Sequence, residues 1–525
     1  MRGLESGACT VGMGVKIQVR KLPGWGAVRR YTAPMISTAL DDSRYRAVLA
    51  RDARFDGQFF VAVLTTGIFC RSVCTARKPL RRNVAFYPSA AAAFSAGFRP
   101  CLRCRPELAP ALARTLGATS YLQRALRLID DGLLDHEGTD ALAARIGVSD
   151  RHLRRLFDEH LGASPIAVAQ VRRLLFAKQL IEQSRLPFVE IALAAGYATV
   201  RRFNDAMRVA YGRTPTQLRA GGGAVATEVR DAVTLTLGYL GEFDWPAALA
   251  YLAARCCNGV ETVDGAVWRR AFVAHGKPGY VEVSHLPERR ALRIEVHTPA
   301  LDALAAIVAG VRRVFDLDAD LPRIEAALAQ DALFAPAIAA RPGLRVPGAW
   351  APFEIAVRAI LGQQVSVAAA TTLAARLVQA HGAPLAWENA APRGLSHAFP
   401  EPRALADAPL EGLGIVRTRA AAIRSLARVV ADDPEFFARL GGLDEAVARL
   451  SALPGIGAWT AQYIAMRGLS EPDAFPDRDL GLMRAFAHAG HDPKTLADHA
   501  QAWRPWRAYA AMRLRSEEHT SELQS

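Results

Sequence analysis

Four cysteines, Cys70, Cys74, Cys101 and Cys104, stand in the order C-x3-C-x26-C-x2-C. Two close cysteine pairs separated by a folded stretch are how a small domain surrounds one tetrahedral zinc with thiolate. Four thiolates on one divalent ion leave a net negative charge, so each sulfur keeps nucleophilic character at neutral pH. The spacing predicts a metal site and leaves two roles open, a purely structural knuckle or a reactive one. Arg71, Arg77, Arg81, Arg82, Arg99, Arg103 and Arg105 crowd the same segment. Such a surface would bring a phosphate backbone to the sulfurs.

A second set of residues suits a different reaction. LPGIGAWTAQYIAMRG, residues 453–468, reads as two helices joined by a tight hairpin. Gly455 and Gly457 let the backbone turn so that amide hydrogens and the following helix N-terminus point at a phosphate. Twenty residues on, FPDRDLGLMRAF places Asp477 and Asp479 before an apolar helical stretch. Trp459 and Tyr463 sit four apart on one helix face, which suits a stacking wall or ordinary core packing. As a bare string the hairpin serves DNA binding without catalysis equally well.

The elements that must hold these residues follow from pattern. FFVAVLTTGIFC reads as a strand entering a turn at Gly67, with Cys70 just beyond it, and NVAFYPS as a second strand. AAAAFSAGFRPCLRC reads as a short helix ending at Gly97, then a knuckle presenting Cys101 and Cys104. An internal repeat follows: ALAARIGVSDRHLRRLFDEHLGASP returns as EIALAAGYATVRRFNDAMRVAYGRTP. Leu153, Gly162 and Pro165 recur as Phe203, Gly212 and Pro215. Each copy has an alanine-rich helix, a glycine turn (Gly147, Gly196) and a second helix with basic residues on one side. That is the helix-turn-helix pattern, whose second helix enters the major groove. Arg151, His152 and Arg154 lie on the first reading helix, with Ser149, Asp150 and Arg155 on or near it. Arg201 and Arg202 lie on the second, with Thr199 and Asn204 on or near it. A helical bundle with solvated arginines is the alternative. After the Gly221-Gly222-Gly223 linker a strand, a helix and the strands GYVEVSHL and ALRIEVH predict a small α+β lobe. From Pro352 onward the pattern is almost wholly helical.

At 525 residues the chain is too long for a single core. The net charge of +14 points to a polyanionic partner, although 59 Arg against 6 Lys also fits a GC-rich coding bias. No apolar run approaches the ~18 residues of a membrane span, and no secretory signal opens the chain. Cys9, Cys256 and Cys257 are left outside the zinc pattern. That usage predicts reduced thiols and a cytoplasmic location. Residues 1–34 lack periodicity and read as a non-native or disordered extension, with Met35 as the start of the globular pattern. The last eleven residues, RSEEHTSELQS, are what a common sequencing-adapter oligonucleotide gives when translated in frame, so 515–525 reads as an adapter-derived artefact.

TTGIFCRSVCTARKP, NVAFYPSAAAAFSAGFRPC and CLRCRPE are similar, nearly residue by residue, to the amino-terminal zinc domain of the Ada family of adaptive-response proteins. The resemblance implies that Cys70, the first of the four, accepts a methyl group from a methylated DNA phosphotriester. It implies one zinc held by Cys70, Cys74, Cys101 and Cys104; Arg71, in the arginine-rich segment, is expected at the DNA. It also implies a switch: methylating one thiolate removes a negative charge beside the backbone and raises affinity. The transfer is suicidal, because a thioether is a poor leaving group. The tandem repeat resembles the AraC family of transcription regulators, which reads two successive major-groove segments. The second methyltransferase domain of the Ada family, marked by Pro-Cys-His-Arg, is absent from the sequence.

Residues 232–514 resemble the AlkA branch of the helix-hairpin-helix glycosylase superfamily in RPGLRVPG, PFEIAVRAILGQQVSV, LPGIGAWTAQYIAMRG and WRPWRAYAAMRL. This implies Asp479 as the catalytic carboxylate, with Asp477 as the fallback. It implies Trp459 and Tyr463 as stacking faces for a cationic alkylated base, and Gly455 and Gly457 at the phosphate. Gln364 matches the side chain that fills the gap left by the flipped base, though it is glutamine rather than a bulky apolar wedge. Relatives that also cleave the backbone carry a lysine where this chain has Trp459, so the expectation is a monofunctional glycosylase. The family's further pocket tryptophan falls where this chain has Arg515.

The expectation is thus a multidomain, mainly α chain. It comprises an Ada-type zinc domain of small α+β type (35–112) and an all-α double helix-turn-helix (113–220). An AlkA-type α+β lobe (221–340) and an all-α helix-hairpin-helix glycosylase domain (341–514) follow. Its partners would be double-stranded DNA, alkylated and promoter, and RNA polymerase. It would act as a monomer in the cytoplasm, associated with the nucleoid, without a membrane. The competing expectation is a DNA-binding regulator with a structural zinc site and an inactive or damage-locating glycosylase domain.

Overall fold

Phe59, Phe60, Val61 and Ala62 are buried together with Phe69 and Phe86, and this apolar density closes a small sheet around the front cysteines. The computed structural model describes residues 8–11, 15–18, 38–109, 120–220, 232–386 and 394–522. Met35, the 112/113 boundary and the Gly221–Gly223 linker lie outside the described residues. The chain divides into two compact units, one of residues 1–116, 128–143 and 148–226, the other of residues 117–127, 144–147 and 227–525.

Inside the stretch read as an extension, β1 (Ala8–Val11) pairs antiparallel with β2 (Val15–Gln18). The zinc-segment sheet has the order β5-β3-β4-β6, with β3 (Phe60–Val63), β4 (Ile68–Arg71), β5 (Val84–Tyr87) and β6 (Arg99–Pro100). The sequence predicts one strand up to Gly67, whereas the structure makes a hairpin of it. Gly67 turns at φ 64°, and Cys70 sits on the second strand opposite Val61. Helix α1 (Thr38–Ala50) lays Ala47 and Val48 on Phe59, Val61, Val84 and Phe86. Helix α2 (Ala90–Ser95) starts at Ser89, whose Oγ accepts from the Ala92 amide at 2.9 Å.

The repeat seen in sequence is a repeat in space. Helices α3 (Thr139–Ile146) and α4 (Asp150–Leu161) form the first helix-turn-helix. Helix α5 (Pro165–Gln183) leads on to α6 (Phe188–Ala194) and α7 (Val200–Tyr211), which form the second. Ser149 and Thr199 cap the two reading helices by accepting from the His152 and Arg202 amides, each at 3.2 Å. Gly162 and Gly212 end them in the left-handed region at φ 62° and 66°. Leu153, Leu156 and Phe157 fill the first core, and Phe203, Met207 and Ala210 the second.

The zinc segment is joined to this helical scaffold by buried charge. Lys178 on α5 is fully buried and pairs with Glu107, just past the last zinc-segment cysteine, and with Glu182 at 2.8 Å. Arg105 reaches Glu182 at 3.0 Å, and the Ser89 hydroxyl donates to the Leu161 carbonyl at 2.7 Å. Removing one partner of a buried pair leaves the other charge unsatisfied. Lys178→Met is therefore expected to destabilise the front unit by about 3–5 kcal/mol. Chemical denaturation of the full chain measures this, and an unchanged midpoint would contradict it.

In the second unit a five-stranded antiparallel sheet has the order β7-β11-β10-β9-β8. Its strands are β7 (Val233–Gly238), β8 (Glu261–Asp264), β9 (Val267–Ala274), β10 (Lys277–Leu286) and β11 (Ala291–His297). Alternation sets the register, with Val283 opposite Ile294 and Leu235 opposite Ile294 on its other side. Helix α8 (Trp245–Ala253) packs beside the sheet. The helical part comprises α9 (Pro352–Leu361), α10 (Val367–His381), α11 (Arg417–Asp432), α12 (Leu443–Ser451), α13 (Ala458–Gly468), α14 (Leu480–His488) and α15 (Arg507–Glu522). Val357, Ile360, Ile423, Leu426, Ala461 and Ile464 belong to its buried core. Arg270 on β9 ties sheet to helices through Glu354 on α9, while also pairing with Glu261 on the neighbouring β8. The protein is multidomain and mainly α, with α+β parts at the zinc segment and the lobe. No described helix is long and apolar enough to cross a membrane.

Candidate zinc centre and nucleic-acid interface

The sulfurs of Cys70, Cys74, Cys101 and Cys104 all lie within 4.8 Å of one another, and none is in a disulfide. Strand β4 carries Cys70, the loop after it Cys74, and the knuckle after β6 Cys101 and Cys104. Zn–S bonds of about 2.3 Å place the sulfurs of a tetrahedron about 3.8 Å apart, so this cluster fits a zinc ion. The donor chemistry agrees, since soft thiolates select zinc over hard cations. The Arg71 amide donates to Cys104 Sγ at 3.3 Å, a bond that favours thiolate.

The structure gives Arg71 a different task from the DNA contact expected of it. Its Nε donates to Asp56 Oδ1 at 2.8 Å and its Nη1 to the Cys104 carbonyl at 3.2 Å, with Nη2 on Asp56 Oδ2. The guanidinium is thereby drawn inward to brace the ligand loop rather than presented to a phosphate. Cys70 is 9% exposed, while Cys74 and Cys104 are more open. On the reading helices Arg151, Arg154, Arg201 and Arg202 are exposed and His152 is half-buried. Arg154 pairs with Asp150 at 2.8 Å, and the Arg155 guanidinium lies 3.1 Å from His152 Nδ1.

In the second unit the hairpin glycines separate in role. Gly455 turns at φ 78°, and a Cβ there would stand 2.5 Å from the Ala422 Cβ, so packing and conformation both require glycine. Gly457 needs neither, because a Cβ would meet nothing within 4 Å. What it does is leave the N-terminus of α13 uncovered, where amides can approach an anion. Thus only one of the two glycines makes the turn the sequence assigns to both.

Asp479 and Asp477 also separate. Asp477 is exposed, whereas Asp479 is 4% exposed and caps α14. Its Oδ1 accepts from the Leu482 amide at 3.2 Å and its Oδ2 from Trp459 Nε1 at 2.9 Å. The Trp459 and Tyr463 rings stack at 5.5 Å with 12° between planes, so they form one continuous aromatic surface leading from the carboxylate. Tyr463 Oη accepts from Arg467 at 2.9 Å. Burial alone would raise the phenol, but the Arg467 and Arg255 guanidiniums outweigh it and bring Tyr463 down to about 7. Gln364 is exposed in a left-handed conformation, φ 55°, on the turn between α9 and α10.

Two further residues matter here: Gln363, which was not singled out in sequence, and Arg515, noted there only as standing where the family has a pocket tryptophan. Gln363 Nε2 donates to the Gly455 carbonyl at 2.8 Å and to Thr460 Oγ1 at 3.1 Å, locking the hairpin to the Gln364 turn. Arg515 on α15 donates to Asp479 Oδ2. Burial opposes its charge, yet Asp479, with Tyr251 and Tyr463, raises its pKa above the ordinary guanidinium value. This cation pairs with the carboxylate that the sequence resemblance expects to act in base release. Arg515→Ala is expected to raise the single-turnover rate of base release about fivefold, the equivalent of roughly 1 kcal/mol of pairing. An unchanged or lower rate would mean that Arg515 does not compete for Asp479.

Comparison with known proteins assigns each segment. The chain matches the metal binding domain of Ada over residues 43–107 and a helix-turn-helix domain over 142–221. It matches the AlkA N-terminal domain over 234–351 and the HhH-GPD superfamily of base excision DNA repair proteins over 357–506. A Mycobacterium tuberculosis protein named probable bifunctional transcriptional activator/DNA repair enzyme AlkA is 40% identical over 475 residues, 90% of this chain and 95% of its own length. DNA-3-methyladenine glycosylase 2 of Escherichia coli is 35% identical over 53% of this chain and 95% of its own. The bifunctional transcriptional activator/DNA repair enzyme Ada of Escherichia coli is 39% identical over 35% of this chain and 50% of its own. With its four-cysteine zinc site, paired helix-turn-helix and hairpin glycosylase fold, the chain belongs to the family of bifunctional transcriptional activator/DNA repair enzymes that join an Ada-type front to an AlkA-type rear.

Proposed function

We propose that this protein answers DNA alkylation in two ways, sensing methyl phosphotriesters at Cys70 to regulate transcription and excising alkylated purines at Asp479. The observation that carries the excision half is the buried Asp479 carboxylate joined to the Trp459–Tyr463 stack at a phosphate-ready hairpin. An alkylated purine is cationic and already a good leaving group. When its N-glycosidic bond breaks, the electron pair neutralises the base, and the positive charge left on the sugar faces Asp479. Water then completes the hydrolysis and leaves an abasic site. Trp459 and Tyr463 offer π faces to the cationic base, Gly455 and Gly457 the hairpin to the backbone, and Gln364 an amide to the gap.

At the front, the bound zinc would hold four sulfurs as thiolates at neutral pH. The Cys70 sulfur attacks the methyl carbon of the phosphotriester, an S–C bond forms, and the C–O electron pair leaves with the phosphate oxygen. An in-line displacement needs only one open direction at sulfur, which suits a largely buried Cys70. The charge lost on methylation lowers repulsion with DNA, and Arg151, His152, Arg154, Arg201 and Arg202 would carry the helix-turn-helix contacts. We read the protein as a monomer acting on double-stranded promoter and alkylated DNA with RNA polymerase, in the cytoplasm at the nucleoid.

The test is an alkylated duplex incubated with the full chain. Strand breaks that appear only after alkali report abasic sites and a monofunctional glycosylase. Breaks without alkali, or no abasic sites at all, would overturn this reading.

A further inference from the structure

Four helix starts in the second unit are tied together by hydrogen bonds around the proposed base-excision site. Arg419, in the first turn of α11, donates to the Gln363 carbonyl, and Gln363 reaches Gly455 and Thr460 at the start of α13. Trp459 then reaches Asp479, the cap of α14. The turn bearing Gln363 and Gln364 leads into α10. At three of these four starts a large apolar side chain is left in solvent: Val367 is 43% exposed, Val416 53% and Leu480 70%. Leu480 is the most exposed large hydrophobic residue named in the described chain and directly follows Asp479.

Exposing a leucine forgoes the burial that ordinarily stabilises an apolar side chain. Helix geometry does not ask for leucine there, since Asp479 already caps α14 and the first helical position tolerates most residues. Extruding a nucleotide opens a base-sized, apolar gap in the stack. Gln364, in the position expected to fill it, is polar and suits hydrogen bonding to an orphaned base better than restacking the neighbours. An apolar residue next to the catalytic carboxylate would supply what glutamine lacks.

We infer that Leu480 is the wedge of this enzyme, inserting into the duplex beside the extruded nucleotide while Gln364 faces the unpaired partner base. The inference rests on the proposed glycosylase reading of the Asp479 site. Its test, however, does not require bond cleavage. The full chain is titrated into a duplex carrying 2-aminopurine beside an uncleavable tetrahydrofuran abasic analogue. Insertion unstacks the probe, so fluorescence rises with the unaltered protein. With Leu480→Ala the rise is expected to vanish, and single-turnover base release from an alkylated duplex to fall about tenfold, the equivalent of one lost stacking contact. Leu480→Met should restore both, and all three proteins should melt at the same temperature because residue 480 is outside the core. Alanine matching the unaltered protein in fluorescence would overturn the wedge, as would a slower rate with full fluorescence. Should the unaltered protein unstack the probe yet release no base, the excision reading fails and the wedge stands.

Discussion

Asp479→Asn is expected to reduce release of alkylated purines about 10^2–10^3-fold, the loss typical of removing one preorganised electrostatic stabiliser. Asparagine retains the oxygen that accepts from the Leu482 amide and is a good helix cap, so α14 should persist. What disappears is the negative charge proposed to face the sugar, together with the Oδ2 acceptor of Trp459 Nε1. Asp477→Asn serves as the comparison, because Asp477 is exposed and touches neither Trp459 nor the α14 amides by its side chain in the contacts described. Base release measured under single turnover, with melting temperature alongside, decides the matter. Full activity in Asp479→Asn with loss in Asp477→Asn would exchange their roles.

Removing zinc should have the largest effect on the front unit. Structural zinc binding is worth on the order of 10–16 kcal/mol in small zinc domains, more than a short four-stranded sheet can replace. Chelation is expected to abolish methyl uptake and to expose the β3–β6 amides to hydrogen exchange. The second unit, which holds no described cysteine cluster, should keep its protection. Cys70→Ala should likewise end methyl uptake, while Arg71→Ala should loosen the ligand loop by freeing Asp56 and Cys104. Uptake that survives chelation would separate the chemistry from the four-sulfur cluster.

Much of this was legible in the sequence because the chemistry restricts the residues. Only cysteine gives four soft ligands at that spacing, and only a repeated fold explains Leu153, Gly162 and Pro165 returning as Phe203, Gly212 and Pro215. Less legible was anything decided by long-range packing. Strand β9 was hidden because Arg269 and Arg270 interrupt an apolar run. They face opposite sides of the sheet, Arg269 to Glu282 at 3.0 Å and Arg270 into the buried Glu261–Glu354 pair. Arg71 looked like part of a phosphate-facing cluster, since the sequence could not reveal that Asp56, fifteen residues earlier, would claim it. Asp479 was ranked above Asp477 only by resemblance, and the physical difference between them became visible once a helix cap and an indole were placed against one of them. Gln363, beside the residue singled out, carried the contacts that fix the hairpin.

One sample tests the account most directly: the full chain with bound zinc, incubated with duplex DNA bearing methyl phosphotriesters and alkylated purines, analysed for free base and by peptide mass mapping. The expected result is free alkylated base together with one methyl group, carried on the peptide that contains Cys70. A methyl on Cys74 or Cys104 instead, or an unmodified protein that releases no base, would contradict it.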